Sequence, residues 1–98
     1  MKRVAYHRLA ASELIKSAQF YERRRALLGE EFLSEVEAAL ERILSCPECG
    51  RASVHATRSY RLRRFPFRIF YRLQGETIQV VALAHLSRRP GYWTRRTA

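Results

Sequence analysis

The chain has 98 residues, which suffices for one hydrophobic core and not for two, so we expect a single domain over residues 1–98. Its 47% hydrophobic content excludes disorder throughout, and no apolar run reaches the roughly 20 residues that cross a membrane. The net charge of +10 indicates an acidic partner, and we expect a cytoplasmic protein without a membrane partner.

The first half predicts one short strand and two helices. Residues 4–6 are typical of a strand, and from Leu9 onward apolar residues recur at the three- and four-residue steps of a helix. Gly29 predicts the end of this helix, because glycine adopts the left-handed conformation without penalty. A second helix follows and ends at Pro47, with an apolar stripe formed by Phe32, Val36, Leu40 and Leu44. The two helices should form an antiparallel hairpin.

The second half predicts a sheet. After a loop at residues 46–56, strands are expected at 57–63, 67–73 and 77–85, and the last two should pair as a hairpin across Gln74 and Gly75. Tyr92 and Trp93 should pack back onto this sheet, whereas residues 94–98 should fray. The predicted fold class is α+β, in the order β-α-α-β-β-β, with the helical hairpin on one face of a small, mainly antiparallel sheet.

The charge lies in the second half. Residues 1–50 contain eight Lys and Arg and eight Glu, whereas residues 51–98 contain eleven Arg and one acid, Glu76. Strict alternation along the strands predicts one apolar sheet face for the helices and a second face of mixed character. That outer face would combine arginines with large apolar groups: Arg61, Arg63, Arg68 and Arg72 with Phe70, Val81 and Leu83. We expect the chain to leave this face uncovered, where it would suit an acidic, apolar partner or a nucleic acid with stacking bases.

Cys46 and Cys49 form a Cys-Pro-Glu-Cys-Gly motif typical of half a zinc site. Tetrahedral zinc needs two more ligands, and none of the three histidines has partner spacing. A thioredoxin-type redox pair would open a helix, whereas this pair follows one. We interpret the segment as a helix-ending loop and predict neither a metal nor a cofactor.

Five motifs in order along almost the whole chain resemble the RelE/ParE superfamily of type II toxin–antitoxin toxins. They are Glu13-Leu14 with Phe20-Tyr21-Glu22; Gly29 with Phe32-Leu33; Pro47 with Gly50-Arg51; the run from Arg64 to Arg72; and His85, Arg88-Arg89-Pro90 and Tyr92-Trp93. The resemblance implies a growth-arresting toxin, held inactive in a hetero-oligomer by an acidic antitoxin.

The strand Phe67 to Tyr71 and the ending from His85 resemble the ParE-like, plasmid-stabilisation branch more closely, which implies DNA gyrase as the target. The arginines expected to bind a target or nucleic acid are Arg61, Arg63, Arg68, Arg72, Arg88 and Arg89. The residues expected to bind the antitoxin are Phe70, Val81, Leu83 and Arg72.

One alternative is a RelE-like toxin, which cleaves mRNA on the ribosome without a metal. Arg68 would then hold the phosphorane, His85 would act as base or acid, and Tyr92 would donate or position a proton. The lysine pair of several RelE-like nucleases has no counterpart, since no Lys follows Lys16. For this reason we favour the interpretation of His85 as a strand-end histidine bonded to the backbone. A second alternative is a nucleic-acid-binding module without enzymatic activity.

Overall fold

In the computed structural model, which describes residues 2–97, a five-stranded mixed sheet carries two helices on one face. The elements are β1 (Arg3–Tyr6), α1 (Arg8–Arg24), α2 (Leu28–Ser45), β2 (Arg51–Ala52), β3 (Arg58–Arg61), β4 (Phe67–Gln74), β5 (Thr77–His85) and a 3-10 helix (Thr94–Thr97). The strand order is β1-β5-β4-β3-β2, with β1 parallel to β5 and the other pairs antiparallel. The predicted fold class is confirmed, and β2 is an additional short strand in the predicted loop.

The helical hairpin turns over residues 25–27, so Gly29 lies inside α2 and the prediction that it ends the first helix is wrong. The left-handed residue is Leu27, with a φ of 71°. Glycine is needed at position 29 for close packing, because a Cβ there would lie 2.6 Å from the Ala18 carbonyl oxygen. The Glu22 carboxylate caps α2 by accepting hydrogen bonds from the N–H groups of Leu27 (2.9 Å) and Gly29 (3.0 Å).

β4 and β5 form the predicted hairpin, with Gly75 in the turn at a φ of 59°. The pairing is interrupted at Val81, because Phe70 pairs with Ala82 whereas Tyr71 pairs with Val80. One extra residue reverses the alternation of side chains beyond it. The faces predicted for the end of β5 are therefore wrong for Ala82, Leu83, Ala84 and His85.

Apolar side chains are buried on both faces of the sheet. On the helix side, Phe32 and Ile43 of α2 pack against Ile69 of β4 and Val80 of β5 in the larger core cluster. On the outer side, a smaller cluster combines Val81, Ala82 and Trp93, flanked by Phe70 and Tyr92.

Residues 92–97, here called the C-terminal strap, cover the outer face. The prediction that Tyr92 and Trp93 pack onto the sheet is confirmed: Trp93 is 2% exposed, and its ring lies 4.4 Å from that of Phe70. The predicted fraying is wrong for residues 94–97, which form the 3-10 helix, while Ala98 lies outside the described residues.

Candidate functional site

The three predicted catalytic residues line one cleft beside the end of β5. Arg68, His85 and Tyr92 surround a volume of about 220 Å³. Arg88 and Arg89 line it as well, so three of the six arginines predicted to bind a target come together here. We call this volume the arginine cleft, and its guanidinium groups suit an anionic ligand such as phosphate or carboxylate.

His85 is fixed at the cleft by the turn that follows β5. Its Nδ1 accepts a hydrogen bond from the backbone N–H of Ser87 at 3.0 Å and lies 2.8 Å from the Ser87 hydroxyl. The ring packs edge-on against Phe67, with centroids 5.1 Å apart. Because Nδ1 is the acceptor, the neutral ring carries its proton on Nε2. This arrangement agrees with the alternative of a strand-end histidine bonded to the backbone.

The hydroxyl of Tyr92 is already engaged inside the protein. It donates a hydrogen bond to Oε2 of Glu13 at 2.7 Å. Burial and then this bond raise the pKa of Tyr92 far above its usual value. The guanidinium of Arg88 lies over the Tyr92 ring, 3.9 Å from its centroid. Tyr92 is therefore held by α1 and is poorly placed to give a proton to a ligand.

Glu13 organises a buried network that sequence reasoning missed. Its two oxygens accept from the Arg96 guanidinium at 2.9 and 3.0 Å, and Oε1 also accepts from the N–H of Leu83 at 3.1 Å. The side chains of Arg96 and Glu13 are only 11% and 16% exposed. Burial acts to raise the pKa of Glu13, but the hydrogen bonds from Arg96, Tyr92 and Leu83 outweigh it and the pKa is lowered. Glu13 stood out only as part of a family motif, and no sequence signal singled out Arg96.

The other predicted target-binding arginines take separate positions. Arg61 pairs with Arg68 across β3 and β4, and its guanidinium donates to the backbone carbonyls of Leu62 and Phe65. Arg72 donates to the Thr97 carbonyl of the strap at 3.2 Å. Arg63 lies beyond the end of β3 in a groove with Glu35, Ala38 and Arg42 of α2. Arg63 is thus separated from the arginine cleft.

Most of the surface predicted to bind an antitoxin is covered. Val81 is 0% exposed beneath the strap, and Leu83 is 3% exposed and belongs to the helix-side core. Phe70 stacks on Trp93, and Arg72 is bonded to the strap. The prediction of an uncovered outer face is therefore wrong at Val81, which the strap covers, and at Leu83, which the bulge places on the helix side. The part of this face beside Arg68 and Phe70 stays open as the arginine cleft.

An apolar groove does remain open between α1 and the end of β5. It has a volume of about 330 Å³ and is lined by Phe67 and Leu83 of the sheet, by Phe20 and Tyr21 of α1, and by the charged residues Lys16, Arg88 and Glu13. Phe20 is 44% exposed, with the Arg24 guanidinium 4.7 Å above its ring. We call this the α1 groove. Sequence periodicity could not reveal it, because it arises where two distant segments meet.

The described residues contain no group of three or more His, Cys, Asp and Glu side chains that could hold a metal ion. Cys46 and Cys49 are joined in a disulfide, with their Cα atoms 5.4 Å apart. Within residues 2–97, no helix has the length and apolar character needed to span a membrane.

The chain matches one protein family in sequence and is similar in fold to a solved structure. Residues 4–90 match the family described as the ParE toxin of the type II toxin–antitoxin system parDE. A solved structure described as the chromosomal ParDE TA system from P. aeruginosa is similar, with a TM-score of 0.63 and 24% identity over 87% of this chain and 96% of that one. At this identity the likeness concerns the fold alone. No curated protein matches the chain.

Proposed function

We propose, from the premise that this chain belongs to the ParE toxin family of type II toxin–antitoxin systems, that it arrests growth by poisoning DNA gyrase. We further propose that an acidic antitoxin neutralises it by direct binding, in a hetero-oligomer that forms in the cytoplasm. The family membership rests on the match over residues 4–90. The choice of target and the mode of neutralisation rest on the chemistry of the arginine cleft and the α1 groove.

The observation that supports the choice of target is a basic cleft in which the Tyr92 hydroxyl and one of the two ring nitrogens of His85 already have partners inside the protein. Arg68, Arg88 and Arg89 supply positive charge to the cleft. The Tyr92 hydroxyl, however, is held by Glu13, and Nδ1 of His85 accepts from Ser87. RNA cleavage needs a free base and a free acid at the reacting phosphate, whereas binding needs only the charge. The cleft therefore supports binding to an acidic target surface over turnover of RNA.

The α1 groove supports the proposed antitoxin. Its apolar lining suits the apolar side of an amphipathic segment, and the lining residues Lys16 and Arg88 suit acidic side chains, since the charge of Glu13 is already paired with Arg96. Arg88 and His85 line both the groove and the arginine cleft. A segment seated in the groove would thus reach the mouth of the cleft and mask it from the target.

The test compares gyrase supercoiling with ribosome-dependent mRNA cleavage, using the purified full chain in both assays. We expect inhibition of supercoiling and no cleaved mRNA. Replacing Arg68 in the cleft by Ala should weaken inhibition at least tenfold, whereas Arg51→Ala, an exposed arginine on β2 at the sheet edge, should leave it unchanged. Cleavage of mRNA with unchanged supercoiling would establish the RelE-like alternative.

The same full chain tests the antitoxin site. Phe20→Glu places a negative charge in the α1 groove, so neutralisation by the product of the adjacent gene should weaken at least tenfold while toxicity persists. Ile15→Glu is the matched control, because Ile15 is on α1 and 56% exposed but does not line the groove. Equal neutralisation of both variants would place the antitoxin elsewhere.

The mRNA endonuclease remains the second candidate for one reason. Arg68 and His85, the residues that a RelE-like mechanism would use, line the same cleft. His85→Ala separates the candidates, since loss of toxicity with an intact fold would favour catalysis. A nucleic-acid-binding module without toxicity would instead bind RNA or DNA in a strongly salt-dependent way and need no antitoxin.

A further inference from the structure

The disulfide at the end of α2 has no part in the proposed function. Cys46 follows the last residue of α2, and its N–H still donates to the Arg42 carbonyl at 2.9 Å. The N–H of Cys49 donates to the Cys46 carbonyl at 3.0 Å, so the two cysteines close a tight turn. Cys49 is exposed, whereas Cys46 is half-buried. The residue that carries one sulfur of the pair therefore lies at the protein surface.

The turn is anchored to the core by a buried tyrosine. The Tyr71 hydroxyl donates to the Pro47 carbonyl at 2.7 Å and accepts from the Gly50 N–H at 3.1 Å. A Cβ at position 50 would overlap this hydroxyl, so glycine is required for the approach. The Arg58 guanidinium binds the Glu48 and Gly50 carbonyls at 3.2 and 3.0 Å. These bonds hold the backbone on both sides of Cys49 independently of the sulfur–sulfur bond.

The tight turn and its anchoring bonds keep the two cysteines close in both the oxidised and the reduced protein. The loop between them is only two residues long, so closing it restricts little chain freedom. The bonds from Tyr71 and Arg58 keep the turn attached to the core when the ring is open, although the turn becomes more mobile. Exposed disulfides exchange readily with thiols, whereas buried structural ones resist. The site is thus suited to open and close without unfolding the domain.

We propose that Cys46 and Cys49 form a reversible thiol–disulfide exchange site whose redox partner is a small thiol of the glutathione class. In the reducing direction, a glutathione thiolate attacks Sγ of exposed Cys49, and Cys46 leaves as the thiolate. A second glutathione thiolate then attacks the glutathione sulfur of the mixed disulfide and releases the Cys49 thiolate. The protein gains two electrons and two protons, and two glutathiones become one glutathione disulfide. Oxidation runs through the same steps in reverse.

Opening the ring should loosen the turn and leave the rest of the fold in place. The Gly50 amide, bonded to Tyr71, should exchange with solvent several-fold faster in the reduced protein, whereas amides in the centre of β5 should not change. The melting temperature should fall by about 5 °C, as expected for a short cross-linked loop in a domain of this size.

The full chain is equilibrated with glutathione and glutathione disulfide in varying ratio. Free thiols are then trapped with a maleimide, and the mass of the intact protein is measured by mass spectrometry. We expect molecules with either no label or two labels, interconverting around one midpoint ratio. As the matched control, Cys46→Ser should instead accumulate glutathione on Cys49, because it lacks the resolving thiol. A disulfide that stays closed in excess reduced glutathione would overturn the proposal, as would a stable mixed disulfide in the unaltered chain. The assay needs neither gyrase nor antitoxin, so its outcome is independent of the proposed toxin function.

Discussion

The two faces of the sheet are covered in different ways. On the helix side, an extended apolar cluster from α2, β4 and β5 is distributed over many side chains. On the outer side, the six-residue strap covers a small cluster, and one carboxylate, Glu13, holds it through Tyr92 and Arg96. Stability on the helix side therefore depends on packing, and on the outer side it depends on a buried polar network. Substitutions on the two faces should therefore affect stability in different ways.

The largest expected effect is on the helix side, at Phe32. Its ring is 0% exposed and has the rings of Tyr21, Phe65 and Phe67 within 5.2 Å, centroid to centroid. Phe32→Ala should lower the free energy of unfolding by about 4 kcal/mol, because it removes apolar contact and leaves a cavity. Urea denaturation measures the loss. The neighbouring Leu33→Ala, at a site 38% exposed, should cost about 1 kcal/mol, and equal losses would contradict this view of the core.

A smaller but more local effect is expected at Glu13. Glu13→Gln removes the charge that balances Arg96 and disturbs the bond from Tyr92, so a guanidinium that is only 11% exposed loses its counter-ion. We expect a loss of about 3 kcal/mol in the free energy of unfolding. Trp93, the single tryptophan, should become more accessible to a fluorescence quencher at urea concentrations below the main transition.

The surface pair formed by Glu31 and Arg64 provides the control for Glu13. Their oxygen and nitrogen are 2.8 Å apart, but their side chains are 35% and 58% exposed. Glu31→Gln should therefore leave the free energy of unfolding almost unchanged and leave Trp93 shielded. If both substitutions cost the same, the strap is not held by its buried network.

Local sequence patterns predicted the helix side of this fold well. The four-residue steps from Phe32 to Leu44 gave α2, and β-branched and aromatic alternation gave β4 and β5. Two local details of the structure could not be predicted from these patterns. The bulge at Val81 depends on how two strands align, and Gly29 serves close helix packing, which looks in sequence like a helix stop.

The outer side was harder to predict because it depends on contacts far apart in the chain. Glu13 and Arg96 are separated by 83 residues, and no periodicity links them. The family resemblance singled out Arg88 and Arg89 near the end of β5, and the structure brings them together with Arg68. The α1 groove was missed, since Phe20 and Leu83 meet only after the sheet and helix have packed.

The smallest expected effect is the response of the strap to acid. The folded-state pKa of Glu13 lies below its usual value of 4.5, so its carboxylate stabilises the fold fully above that pH. As the pH falls through the folded-state pKa, Glu13 takes up a proton, Arg96 loses its counter-ion, and this stabilisation disappears. Trp93 fluorescence should therefore report loosening of the strap at acidic pH before the far-ultraviolet circular dichroism changes. Glu13→Gln has no carboxylate to titrate at this site and should abolish the early step. If the early step persists in Glu13→Gln, another group controls the strap, and the contrast between a packed face and a charge-held face would fail.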